Sequence, residues 1–152
     1  MAFASAETLS QDVFTKLRIL IIANKPTYVY NGITFTYTMV AEYPKDNPTF
    51  PVVVLNESSV NVVLLTFDGS GRDYGVEVQL DFYAKEAHGK KAIDAGRDSL
   101  RNTFINNISE FINTDGLIPM DDFWDDSNIA SLQESKNQII NTGSSLLKFM
   151  LK

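Results

Sequence analysis

The sequence predicts an α+β fold, a mostly antiparallel sheet with an N-terminal helix and one long helix packed on one face. Three observations point there. Apolar residues recur at helical spacing near the start of the chain, and again over a longer span after residue 88. Between these stripes, short β-branched and aromatic runs are separated by turn residues. One run, Val76 to Ala84, assigns alternate residues to two distinct faces. The length of 152 residues suits a single domain, residues 1–152.

Residues 5 to 23 read as the first helix. Ser5 suits the N-cap, and Glu7 places a negative charge in the first turn, where the helix dipole favours it. Leu9, Val13, Leu17, Leu20 and Ile21 form one apolar stripe, widened by Phe14 and Ile22. Pro26 ends the helix, because proline disfavours helical geometry in the residue before it. A hairpin follows. Tyr28 to Tyr30 and Ile33 to Met39 flank Asn31-Gly32, the pair favoured where both central residues need positive φ. In the second strand Ile33, Phe35, Tyr37 and Met39 share one face, and the three intervening threonines share the other.

Residues 42 to 51 carry Pro44, Pro48 and Pro51 and read as a loop. Val52 to Leu55 and Val62 to Leu65 are continuous apolar runs of strand length, suited to strands covered on both faces, with Asn56 to Ser59 as a polar link. Asp68 to Gly75 is a glycine-punctuated loop. After it, Val76, Val78, Leu80, Phe82 and Ala84 line one face of a long strand, and Glu77, Gln79, Asp81, Tyr83 and Lys85 the other.

The long helix spans about residues 88 to 113 and aligns Ile93, Leu100, Phe104, Ile108 and Phe111, with Ala92 and Gly96 on the same side. Glycine inside a helix costs about 1 kcal/mol against alanine, so Gly96 suggests a close approach of helix to sheet. Residues 114 to 136 read as mostly irregular, with Asp121 to Asp126 an acidic turn around Trp124 and a weak helical signal near Asn128 to Gln133. Residues 139 to 152 read as a final strand interrupted near Gly143, with a helix over Ser144 to Lys152 as the alternative.

Composition removes several classes of function. With no cysteine, there are no disulfides, thiolate nucleophiles or cysteine-held zinc. The formal net charge of −6 disfavours nucleic acid and anionic membrane as binding partners. The amino terminus lacks the basic flank and apolar core of a signal peptide, and Ile19 to Ala23 is too short to span a bilayer. A soluble acidic protein without a targeting segment is the expectation.

No catalytic signature emerges, and the expectation is no enzyme, no cofactor and no metal. His88 is the single histidine, and no nucleophile motif surrounds it; it reads as an exposed helix-entry residue. The loop Asp68-Gly69-Ser70-Gly71-Arg72-Asp73-Tyr74 could suggest a phosphate cradle, but it lacks the Gly-Lys-Ser/Thr ending of a P-loop and leads into a strand. The better reading is a contact loop for a protein neighbour, with Arg72 able to pair carboxylates and Tyr74 a typical interface residue. The acidic turn does not match the ligand spacing of an EF-hand.

The order of parts resembles the tail-terminator (tail-completion) proteins of long-tailed phages and related viruses. An N-terminal helix leads to an aromatic strand, then to Tyr43-Pro44 and Phe50-Pro51 entering Val52-Val53-Val54. A glycine-rich loop, a strand ending Leu80-Asp81-Phe82-Tyr83-Ala84-Lys85 and a long helix follow, and the chain closes with Leu132-Gln133-Glu134-Ser135 and a strand. The likeness covers nearly the whole chain through strand chemistry and element order.

It implies a structural virion protein without enzymatic activity or cofactor, assembled in the host cytoplasm and resident in the tail and neck region. Its partners would be copies of itself in a ring, usually a hexamer, the tail tube protein and a head-side neck protein, with DNA only as passing cargo. On this likeness the loop Asp68 to Tyr74 is the candidate protein contact, and the strand face Glu77, Gln79 and Asp81 lines or adjoins the channel. Another head–tail neck or connector protein, or a small cytosolic protein-binding α+β adaptor domain, are the alternatives.

Overall fold

The computed structural model describes residues 9–41, 50–56, 59–64, 72–110, 117–135 and 138–151. The fold is α+β. Helix α1 (Leu9–Ala23) leads to a hairpin of β1 (Thr27–Tyr30) and β2 (Ile33–Thr36), which stands as its own two-stranded sheet. The larger sheet contains β3 (Thr38–Val40), β4 (Val52–Leu55), β5 (Ser59–Leu64), β6 (Arg72–Lys85), β7 (Leu117–Asp126), β8 (Ala130–Ser135) and β9 (Gln138–Leu151). Helix α2 (Lys91–Asn106) and the short α3 (Ile108–Glu110) lie between β6 and β7 in sequence.

The sheet is built around β6 and β9, paired antiparallel from Tyr74↔Leu151 to Lys85↔Ile140. β4 and β5 share the far side of β6, one after the other along its length, and β8 and β7 do the same for β9. β3 adds to β4 and is the parallel member. This register sorts side chains to two faces. Val76, Val78, Leu80, Phe82 and Ala84 are buried, and with Val53, Leu55, Leu147 and Phe149 they form the principal core. Both helices pack into that same core. α1 inserts Val13, Leu17 and Ile21, and α2 inserts Ala92, Ile93, Leu100 and Phe104. Each fully buried large aliphatic contributes about 1.5–3 kcal/mol.

The opposite face is divided. Near β4 it is apolar, where Phe50, Val52, Val54 and Ile140 form a second, smaller cluster with Val40 and Tyr83 against it. Val52 to Leu55 are therefore buried on both faces, as a continuous β-branched run requires.

The hairpin turn adopts the geometry that Asn31-Gly32 predicts, with φ of 51° and 74°. The strand expected over Ile33 to Met39 breaks at Tyr37. Ile33 to Thr36 pair within the hairpin, whereas Thr38 to Val40 join β4 in the larger sheet. The break lets Tyr37 drop its ring fully into the core and donate its hydroxyl to the Ala92 carbonyl at 2.8 Å. Burial raises the Tyr37 pKa far above its ordinary value.

Four expectations need correction. The loop expected from Asp68 to Gly75 ends earlier: Arg72, Asp73, Tyr74 and Gly75 are already strand, paired with Leu64, Val63, Val62 and Asn61. The long helix starts at Lys91, since Gly89 at φ 79° separates it from a 3-10 turn over Glu86–His88. Its other end comes at Asn107, whose side chain donates to the Thr103 carbonyl at 2.7 Å and takes up an end that would otherwise continue. Residues 117–126 and 130–135 are strands rather than irregular chain or helix. Proline and clustered aspartates disguised β7, but both are admissible in an edge strand with a bulge between Pro119 and Trp124. Lastly, β9 runs unbroken through Gly143, and Ser145, Leu147 and Phe149 face inward as a strand, not a helix, would place them. The expected N-cap Ser5 and the loop 42–49 lie outside the described residues.

Two glycines set how closely α2 sits. A Cβ at Gly96 would stand 2.7 Å from the Tyr37 ring, and one at Gly143 would stand 2.9 Å from Ile93 and 3.0 Å from the Arg97 guanidinium. Close approach is thus the reason for Gly96, although its neighbour is a tyrosine ring rather than sheet backbone. Gly96→Ala gains about 1 kcal/mol of helix propensity but overpacks a ring fixed at both ends. Urea unfolding is expected to show a net loss of about 1–2 kcal/mol; a variant as stable as the parent would mean the ring can move.

Candidate interaction surface

Of the candidate contact loop, Asp68, Gly69, Ser70 and Gly71 lie outside the described residues, and Arg72, Asp73 and Tyr74 form the start of β6. The backbone of these three is thus engaged with β5. Glu77, Gln79 and Asp81 occupy one face of β6, away from the principal core. Glu77 stands opposite Lys148, Gln79 opposite Leu146 and Asp81 opposite Ser144.

Asp81 is not a free carboxylate. Asn56 donates to Oδ2 at 2.8 Å, while Gln79 and Ser144 donate to Oδ1 at 2.8 and 2.5 Å. These bonds tie the end of β4, the middle of β6 and the middle of β9 together across the exposed face. Gln79 also borders a shallow depression of about 370 Å³ with Asp125, Asp126, Ser127, Ser144 and Leu146. The register therefore brings the polar strand face beside the acidic segment of β7, two regions far apart in sequence.

The acidic segment itself divides its labour. Asp125 is exposed. Asp126 is an acceptor hub at the rim of the core: Trp124 Nε1 donates to Oδ1 at 2.7 Å and Ser145 Oγ donates to the same oxygen at 2.5 Å. Arg97 reaches this hub from α2. The residue is 5% exposed, with Nε 3.7 Å from Asp126, and Nη1 donates to the Ser127 carbonyl at 2.7 Å. Nη2 pairs with Asp94 at 3.2 Å. Trp124 meanwhile rests against Phe104, with ring centroids 5.6 Å apart. Of the segment expected to be a solvated acidic turn around Trp124, Asp125 is exposed and Trp124 packs on the core, whereas Asp126 joins a polar clasp between α2, β7 and β9. The lone arginine at a buried helical position was the available signal, and the apolar stripe passed over it.

A second cluster was also missed. His88, expected to be exposed, is half-buried among the hairpin aromatics. Its Nδ1 lies 2.6 Å from the Tyr28 hydroxyl, and its ring stacks on Tyr30 at 4.4 Å and tilts against Phe35 at 4.6 Å. Tyr28 in turn stacks on Phe35 at 5.3 Å. Burial, and then the positive charge of Lys85, hold His88 below its ordinary pKa, while burial pushes Tyr28 up to about 12. The hydrogen bond between the Tyr28 hydroxyl and the His88 imidazole fixes the aromatic face of the hairpin to the 3-10 turn ahead of α2.

Among the described residues no group of three histidine, aspartate or glutamate side chains is placed to hold a metal ion. No helix among them is long and apolar enough to cross a membrane. No family model matches the chain, and no curated protein matches it.

Two outcomes follow. Asp126→Ala removes the acceptor of the Trp124 and Ser145 hydrogen bonds and the carboxylate that faces Arg97, and is expected to cost about 2 kcal/mol in chemical denaturation, with a change in Trp124 fluorescence as the local reporter. His88 has a lower pKa folded than unfolded, so its contribution to stability is complete above the unfolded value near 6.5 and is lost as pH falls through the folded value. Stability should decline as pH falls below about 6.5, and His88→Phe should flatten that slope.

Proposed function

We propose that the chain is a structural virion protein, a tail terminator whose copies form a ring, most simply a hexamer, that caps the tail tube and joins it to the head-side neck. The observation that carries this reading is the polar part of the sheet face turned away from the helices. Both helices pack on one face, while the other turns Glu77, Gln79 and Asp81 outward beside Asp125. A polar patch on the sheet, lying beside the small apolar cluster at β4 and backed by a rigid core, suits a wall lining a passage better than a pocket enclosing a substrate. Its acidic character lets a DNA polyanion pass without adhering, since like charges repel. The element order behind the resemblance to tail terminators is retained from α1 through the aromatic hairpin, β4, β6 and α2 to β9.

In this reading the tail tube and neck proteins are the partners, the tail and neck region of the virion is the location, and no chemistry is performed. Residues Asp68 to Gly71 join β5 to β6 in sequence and are the segment offered to a neighbour. Because Arg72 to Tyr74 pair with β5, a test of this contact spares them.

The experiment combines solution mass with capping of purified tail tubes. A ring-sized species, alone or on tubes, and tubes made competent for head joining are expected. Replacing Asp68 to Gly71 with a neutral linker should leave the unfolding midpoint in place and reduce joining at least tenfold. A protein that stays monomeric both alone and with tubes, and that leaves head joining unchanged, would refute the proposal.

A further inference from the structure

The hairpin and the larger sheet treat their open edges differently. Edge strands expose unpaired backbone groups, and proteins guard them with prolines, charges and bulges. β7 carries all three guards: Pro119, the aspartates at 121, 122, 125 and 126, and a register shift between Pro119 and Trp124. β2 carries none. No charged residue occurs from Thr27 to Ala41, in a chain where 21% of residues are charged.

The open side of β2 is also well defined. β1 lies beside α2, and among the described residues β2 has β1 as its strand partner. Tyr30 and Ile33 flank a two-residue turn, and the Tyr37 N–H donates to the Pro26 carbonyl at 2.9 Å further along the same ladder. Cross-ladder bonding therefore falls at Ile33, Phe35 and Tyr37, while Thr34 and Thr36 direct their N–H and C=O groups outward. Both threonines are exposed, and Ile33 is 59% exposed. The aromatic cluster with His88 holds this ribbon in place from behind, so the edge is presented already ordered.

Two edges of the larger sheet match it in character, the three-residue β3 and the longer β5, and β5 offers the greater length for pairing. β5, Ser59–Leu64, contains no charge and no proline, and among the described residues it pairs with β6 alone. Copies bearing a net charge of −6 repel one another over most of their surface, so contact is least opposed where both edges are uncharged. The aspartates of β7 and Glu134 of β8 make those edges poorer matches.

We propose that the outer edge of β2 pairs with the outer edge of β5 in a second copy of this chain, continuing the sheet from one copy to the next. Such a contact joins two different patches, and heterologous contacts close into rings when the rotation between copies permits. The inference rests on the ring reading and names the surface that builds it.

Thr34→Pro removes an outward N–H and Thr34→Lys places a charge on the edge, while both spare the cross-ladder bonds. A concentration series in sedimentation, with tail tubes where assembly requires them, should show at least tenfold weaker assembly for each variant and an unchanged circular dichroism spectrum. If Thr34→Pro loses its fold, Thr34→Lys decides alone. The absence of cysteine allows Thr34→Cys and Asn61→Cys to be made separately and mixed with a short bismaleimide; a dimer formed only in the mixture is expected. Unchanged assembly of both Thr34 variants overturns the pairing and leaves the ring reading standing. A cross-link within Thr34→Cys alone overturns the assignment to β5. A parent protein monomeric under every condition overturns the pairing and the ring together.

Discussion

The antiparallel ladder between β6 and β9 governs the rest of the molecule. Every other strand of the larger sheet attaches to one of these two or to a strand that does. Their shared register, from Tyr74↔Leu151 to Lys85↔Ile140, also decides which side chains meet the helices. A shift by one residue would turn Val76, Val78, Leu80 and Phe82 toward solvent and bring Glu77, Gln79 and Asp81 into the core. The cost of that exchange fixes the register. The Asp81–Ser144 hydrogen bond reinforces the same alignment from the polar side.

Helix α2 is the second determinant, and it is held by two kinds of force. Ile93, Leu100 and Phe104 supply non-directional burial, whereas Gly96 and Gly143 set the distance at which that burial occurs. Arg97 then adds direction. Its guanidinium spans the Ser127 carbonyl, Asp94 and the Asp126 hub, so the helix is oriented about its own axis as well as pressed down. A nearly buried charge is expensive unless its donors are used, and here most are matched.

Much of this architecture was legible in the residues. The Asn31-Gly32 turn, the alternation from Val76 to Ala84, the doubly buried Val52 to Leu55 and the apolar stripe of α2 each reflect a single strong local rule. Gly96 was legible as a demand for closeness, though not the identity of Tyr37 as the neighbour. What escaped detection depended on partners distant in sequence. β7 and β8 have weak strand propensity and exist because β9 supplies a template for them. His88 acquires its surroundings from a hairpin 60 residues earlier. Asp126 looks like surface charge until Ser145 and Arg97 arrive. The polar face of β6 follows from alternation, but its attachment to the β7 aspartates is a property of the fold alone.

The β6–β9 ladder also shapes how this protein is made. Its two strands are separated by α2, β7 and β8, so the contacts that define the core are among the most distant in sequence. Chains dominated by such contacts fold slowly, because a long loop must close before any pairing rewards it. During synthesis the apolar face of β6 emerges well before β9 exists to cover its neighbouring edge. Until then, that strand is a sticky nascent segment, for which α1 and the aromatic hairpin are the available shelter. The nascent chain thus passes through a stage in which disordered association competes with folding, and the rate of translation through β7 and β8 sets how long that stage lasts.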